Sequence, residues 1–277
     1  MRPAEVARHA ADYLDRHGVE PALPAAELLL AHVIETDRAG LYRREAPLTA
    51  PEARRFGRAL CARCSGEPVQ YLTGQEGFRR LVLEVRPGVF IPRPETEGLV
   101  DVALEAIRDR PSPVVVDVCS GTGAIALSIA TEHPGAAVWA TDLAPEAVAL
   151  ASSNAGRHAP GVVVLEGDLL EPLPAHLRGR VDLVVGNPPY IAAEDVAGLP
   201  VEVRSEPLLA LVGDVDLYAR LAEQAGTWLR GEGVIAVEIG ESMADEVGVA
   251  LRKAGFVDVG VRQDLAGRDR VVTARWP

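Results

Sequence analysis

The segment Asn187-Pro188-Pro189-Tyr190 carries the most specific chemistry in the chain. Two successive prolines forbid continued sheet pairing and stiffen the backbone. The Asn187 side chain and the Pro188 carbonyl are thereby expected at the tip of the preceding apolar run. There they would form two acceptors aimed at one point, with Pro189 and the Tyr190 ring beside them. That set suits a planar NH2 group, which brings two N–H donors and a face to stack on. A plain proline turn would use the same residues, but it would not require the ordered features that precede this one.

Three such features come earlier. Asp117-Val118-Cys119-Ser120-Gly121-Thr122-Gly123 joins an apolar run to a helical pattern. Small residues there let the backbone approach a ligand, and a helix N-terminus offers unpaired N–H groups. The dinucleotide spacing G-x-G-x-x-G is incomplete, because Ala126 stands at its third glycine. Asp142 follows about twenty residues on, where an acid accepts ribose hydroxyls. It could equally cap the helix that Pro145 opens. Gly167-Asp168-Leu169 ends the next apolar run. Asp168 is placed to accept from an adenine amine and Leu169 to pack on its ring, or Asp168 simply caps a turn. Loop and acid together indicate a nucleoside site without separating a nicotinamide cofactor from S-adenosylmethionine. The Asn187–Tyr190 segment has no role in hydride transfer and decides for the methyl donor.

These residues need strands to hold them. Residues 114–118, 137–142, 162–165, 181–187 and 234–239 read as strands. The run at 114–118 is continuously apolar apart from Asp117, as in a strand buried on both faces. Helical patterns cover 123–131, 145–156, 218–229 and 242–254, and strands near 256–261 and 270–274 finish the chain. Regular alternation of this kind predicts an α/β fold with a doubly wound, Rossmann-like sheet. Ligands of such sheets bind at the carboxyl ends of the strands, where all four features fall. Ahead of it, residues 1–70 carry helical periodicity and read as a small bundle. Residues 71–92 read as a β-hairpin linker turning at Arg86-Pro87-Gly88, and a helix is expected over 95–108 within a third segment, 93–277.

The net charge is −12, from 40 acidic and 28 basic residues. A chain so acidic has no bulk attraction for phosphate backbones, so direct nucleic-acid binding is not expected. Arg38, Arg43, Arg44, Arg54, Arg55, Arg58 and Arg63 do cluster, and read as a solvated helical face in preference to a docking surface. Cys61 and Cys64 make a C-x-x-C pair without further ligands nearby, so no metal is expected. With Cys119 the cysteines number three, which fits a reducing compartment. No stretch approaches the ~20 apolar residues of a membrane span. A cytoplasmic protein is expected.

In order along the chain stand Glu67-Pro68-Val69-Gln70-Tyr71-Leu72-Thr73-Gly74, Phe90-Ile91-Pro92-Arg93-Pro94-Glu95-Thr96-Glu97, Asn187-Pro188-Pro189-Tyr190-Ile191, Glu206-Pro207 with Ala210-Leu211, and Asp264-Leu265-Ala266-Gly267-Arg268-Asp269-Arg270-Val271-Val272. Together they resemble the release-factor glutamine methyltransferases, the HemK/PrmC family, over nearly the whole chain. The resemblance implies a class I S-adenosylmethionine-dependent methyltransferase with an N-terminal substrate-recognition bundle. It implies methylation of the glutamine of a Gly-Gly-Gln tripeptide in class I peptide-chain release factors. It also implies that Cys119, Ser120, Gly121, Thr122, Gly123, Asp142, Asp168, Leu169 and Asn187 line the cofactor, and that Asn187, Pro188, Pro189 and Tyr190 hold the substrate amide. Cys119 stands where the family usually has glycine, Ser205 where an aromatic is common, and Val215 where glycine is common. A paralogue acting on another protein's amide or a small molecule, and an adenine-specific nucleic-acid methyltransferase, are the alternative readings.

Overall fold

The computed structural model describes residues 1–277, which divide into two compact units. The first comprises Met1–Gln75 and a returning segment, Leu199–Ser205. Its helices are α1 (Pro3–Arg16), α2 (Ala22–Val33), α3 (Arg38–Arg43), α4 (Ala50–Cys64) and α5 (Val69–Thr73). Sequence dictates several of their ends. Thr49 and Glu52 form a reciprocal capping box on α4, with Pro51 in its first turn. Asp37 caps α3 by accepting from the Gly40 N–H at 2.5 Å. Ala7, Leu14, Ala26, Leu29, Leu30 and Leu41 are fully enclosed in one core, joined by Phe56.

Five of the seven clustered arginines, Arg38, Arg43, Arg54, Arg55 and Arg58, are exposed as expected, while Arg44 and Arg63 are drawn inward. Arg44 forks onto Glu52 at 2.8 and 2.9 Å. Arg38 pairs with the buried Glu27. Arg55 donates to the Val33 carbonyl at 2.8 Å. Arg63, only 7% exposed, pairs with Glu202 of the returning segment. The two terminal nitrogens of Arg63 are met by the Glu67 carbonyl and Glu202, while Nε is left without a partner.

The second unit, Glu76–Gly198 with Glu206–Pro277, is built on a seven-stranded sheet. Before it lies a two-stranded sheet of β1 (Gln75–Phe78) and β2 (Leu81–Glu84). The turn therefore falls at Arg79-Arg80 and not at Arg86-Pro87-Gly88. Arg79 adopts φ +50° there. Its backbone N–H and guanidinium are held by Glu97, Asp101 and Glu132, at 2.6 to 3.1 Å. Those anchors lie 18 to 53 positions away, so local turn residues could not reveal them.

Next come α6 (Glu97–Ile107), β3 (Val114–Val118), α7 (Ala124–Glu132), β4 (Ala137–Asp142), α8 (Pro145–His158), β5 (Val163–Glu166) and β6 (Val181–Gly186). Then follow α9 (Val215–Trp228), β7 (Leu229–Glu238), α10 (Ala244–Lys253), β8 (Val257–Gln263) and β9 (Asp269–Arg275). Strand order is β5-β4-β3-β6-β7-β9-β8, and only β9 runs against its neighbours. Side chains alternate across the sheet. Val115, Leu183 and Val185 face a core shared with α6 and α7, while Val116, Val118 and Val184 face one shared with α9 and α10. The chain leaves β3 toward β4 on one side and returns to β6 on the other. The switch point is thus the crevice between the carboxyl ends of β3 and β6. No helix is long and apolar enough to cross a membrane.

Candidate active site

A cavity of about 390 Å³ opens at that crevice, within the size range of small-molecule sites. Cys119, Ser120, Gly121 and Thr122 line it after β3, Asp142 after β4, Asp168 and Leu169 after β5, and Asn187 and Pro189 after β6. Gly123 is not on the wall; it starts α7 with φ +83°. Pro188 is buried, and Tyr190 packs against the sheet core beside Gly240 and Met243. The four-residue segment thus presents two members to the cavity and roots the other two.

The loop after β3 is sharply turned. Cys119, Gly121 and Gly123 all have positive φ, at +55°, +55° and +83°. Glycine takes this region freely, whereas the Cβ of Cys119 is strained in it. The turn is secured by the Ser120 N–H on the Thr141 carbonyl at 3.1 Å and the Gly123 N–H on the Ser120 carbonyl at 2.8 Å. Burial pushes the Cys119 thiol well up, and the carboxylates of Asp142, Asp117 and Asp168 push it further. It stays a thiol and offers no nucleophile.

Asp142 accepts from two backbone donors. Oδ1 accepts from the Ala144 N–H at 2.9 Å, bracing the start of α8, and Oδ2 accepts from the Gly121 N–H at 2.8 Å. Burial nevertheless raises its carboxyl above the ordinary range. Each oxygen keeps a second lone pair, so a diol could still be accepted. Asp168 is held by an ion pair from Arg220, a cavity-lining residue that strand-end reasoning missed because it comes from α9. The hydroxyls of Ser120 and Thr141 are buried, without a hydrogen-bond partner, and both residues line the cavity. Such orphaned groups normally signal a polar ligand. With the glycine-rich turn and the Asp142 carboxylate, they fit a nucleoside-bearing cofactor.

Asn187 is oriented by a residue that sequence reasoning left unassigned. Its Nδ2 donates to Thr96 Oγ1 at 3.3 Å, and Thr96 is buried at the start of α6. Neither Asn187 Oδ1 nor the Pro188 carbonyl accepts a hydrogen bond within the protein. The loop is clamped from outside: the Ile191 N–H donates to the Leu211 carbonyl at 2.9 Å and the Gly213 N–H to the Ile191 carbonyl at 3.1 Å. A Cβ on Gly213 would lie 2.0 Å from the Pro189 carbonyl oxygen, so only glycine fits. Phe90, Pro92 and Thr96 also line the cavity. Their segment is fixed by the buried Glu206, which accepts from the Ile91 N–H at 2.9 Å and pairs with Arg93. The two sequence blocks at 90–97 and 206–211 are thus one structural feature.

Asn154 on α8 ties the cofactor loop to β2. Its Nδ2 donates to the carbonyls of Thr122 and Glu84 at 3.0 Å, and its Oδ1 accepts from the Glu84 N–H at 2.9 Å. An asparagine inside an amphipathic helix pattern gives no sequence sign of this role.

Comparison with known proteins agrees with this geometry. The model of the PrmC N-terminal domain matches residues 5–74, and that of the methyltransferase small domain matches residues 82–201. A release factor glutamine methyltransferase of Moorella thermoacetica is 41% identical over 93% of this chain and 92% of its own length. That of Cereibacter sphaeroides is 40% identical over 100% of this chain and 99% of its own. Among solved structures, the hMettl16 catalytic domain in complex with MAT2A 3′UTR hairpin 6 shares the fold, with a TM-score of 0.57, 17% identity and 84% of each chain covered.

Proposed function

The chain belongs to the release factor glutamine methyltransferase family, and we propose that it methylates the side-chain amide nitrogen of the Gly-Gly-Gln glutamine in class I release factors. S-adenosylmethionine, when bound, supplies a methyl group activated by its sulfonium charge. Gly121 and its neighbours cradle it, Asp142 receives its ribose, and Asp168 and Leu169 take its adenine. The helical unit of residues 1–75 recognises the protein partner.

The observation that carries this reading is the pair of free acceptors. Asn187 Oδ1 and the Pro188 carbonyl accept nothing from the protein. An amide nitrogen is a poor nucleophile, because its lone pair is delocalised, and it is too weak an acid for ordinary deprotonation. Two acceptors on its N–H groups orient it and stabilise the positive charge that develops there. The Tyr190 ring, packed against the sheet core beside Gly240 and Met243, holds the loop that carries these acceptors. The proton leaves during or after transfer.

The test is transfer of labelled methyl from S-adenosylmethionine to a purified class I release factor, with its Gly-Gly-Gln glutamine changed to alanine as control. Labelling lost in the control supports the reading. Labelling that persists there refutes it. Asn187→Ala should lower turnover on the order of 100-fold or more while cofactor affinity, read by calorimetry, stays near that of the unaltered protein.

A further inference from the structure

Glu238 ends β7 and is 1% exposed. The parallel register sets Gly186 against Val237. Asn187, the first residue past β6, and Glu238, the last of β7, therefore each follow the final paired residues of these adjacent strands. Thr96 and Asn187 are the polar side chains beside the Glu238 carboxyl, and Asn187 Nδ2 itself donates to Thr96 Oγ1. Glu238 Oε2 is buried without a hydrogen-bond partner. The strand end itself is fixed, because the Tyr218 hydroxyl donates to the Glu238 carbonyl at 2.8 Å. A buried carboxyl with spare acceptor capacity is expensive.

An asparagine amide can present either end to a ligand. A substrate NH2 needs Oδ1; presented with Nδ2, it would meet donor with donor. Thr96 cannot enforce the choice, since a hydroxyl both donates and accepts. An ionised carboxylate only accepts. We propose that Glu238 is a positioning residue that fixes the Asn187 amide, taking Nδ2 as its donor and leaving Oδ1 for the substrate. Protonated, Glu238 would gain an O–H donor able to attract Oδ1, and the amide would be free to turn over.

The charge of this group is set by its neighbours. Burial raises the Glu238 carboxyl to about 7; donors from Thr96 and Asn187 and the Arg270 guanidinium on β9 pull it down, and Glu95 pushes it up. Tyr190 and Tyr218 face it as neutral phenols, both raised by burial. Asp264 lies 3.6 Å from Arg270 and draws on the same guanidinium. Turnover should therefore rise with pH through the neutral range.

This inference rests on the reading of Asn187 given above, so two readouts are needed. The first uses the protein with S-adenosylhomocysteine and no substrate. The side-chain amide signal of Asn187 in a 15N–1H spectrum, assigned by its loss in Asn187→Ala, should move with pH around 7. In Glu238→Gln it should not move. The second is kcat against pH on the release factor. The limb near neutrality should be present in the unaltered enzyme and absent in Glu238→Gln, whose side chain does not titrate. Glu238→Ala should lower kcat on the order of 100-fold and leave cofactor affinity unchanged. An Asn187 signal that ignores pH, or titrates alike in Glu238→Gln, overturns the proposal. So does a kcat limb that survives that substitution. A signal that behaves as expected, with no methyl transfer to the release factor, upholds the role of Glu238 and refutes the assigned substrate instead.

Discussion

Glu52 of the helical unit and the acids beneath the cleft of the sheet unit are shifted in opposite directions, while away from the cleft Glu84, Glu132 and Asp264 of the sheet unit are lowered as Glu52 is. In the helical unit, Glu52 is pulled down to about 2 by the Arg44 fork, with backbone and hydroxyl donors from Thr49 assisting. In the sheet unit, burial drives Asp117, Asp142 and Glu238 upward. A lowered carboxyl reports charge that stabilises the fold, and a raised one reports charge the fold tolerates at a cost. The helical unit is wired for stability. The sheet unit keeps costly acids around its cleft, with Asp142 on the cavity wall and Asp117 and Glu238 buried behind it, which is the usual mark of a working site.

The sharpest way to break the comparison is at Gly213. Gly213→Ala forces the Asn187–Tyr190 loop to move, because the new Cβ would sit 2.0 Å from the Pro189 carbonyl oxygen. Turnover should fall by on the order of 100-fold, as displacements near 1 Å do. The helical unit should melt as before, followed by circular dichroism and activity on the same samples.

Next in size is the dependence of stability on pH. Glu238 is raised from 4.5 to about 7, so the folded state holds a proton that the unfolded chain has lost. Its ionisation erodes stability as pH rises through that window. Glu238→Gln should therefore gain on the unaltered protein between pH 5 and 8, approaching roughly 3 kcal/mol by denaturant titration. Glu52 has the opposite sign. Its contribution is present above its unfolded value of 4.5 and is lost as pH falls toward 2. Glu52→Gln should be less stable at pH 7 and indistinguishable from the unaltered protein near pH 2. Parallel pH profiles for the two variants would collapse the contrast between the units.

The smallest effect is expected at Cys119. Its φ of +55° is strained for a residue with a Cβ, by roughly 1 kcal/mol. Cys119→Gly should gain up to about that much in stability, less what a freer unfolded chain returns. Cofactor affinity should hold, since Gly121 and Asp142 keep their 2.8 Å contact.

What sequence could show follows the range of the forces involved. β3 and β4 fall where they were expected, at Val114–Val118 and Ala137–Asp142, because buried parallel strands are local apolar runs. The run at 85–91, apolar at its ends but broken by Arg86-Pro87-Gly88, forms no strand. Its Ile91 N–H is taken by Glu206, 115 positions away, and pattern alone cannot see such a partner. Cys119 shows the converse, since tertiary contacts hold a positive φ that its residue type argues against. Asn154, Arg220 and Glu238 were illegible for one shared reason. Each sits in an ordinary helix or strand pattern and gains its role only from what the fold brings beside it.

One feature of the helical unit bears on how it could be transplanted. Its core segment ends at Gln75, yet Leu199–Ser205 belongs to it too. The ion pair of Arg63 with Glu202, and Val201 against Gly66, join the pieces. A chimaera that swaps only the leading stretch would strand a buried guanidinium without its acid. Such an exchange must carry two cassettes, and any recognition specificity housed in this unit must be inherited through both.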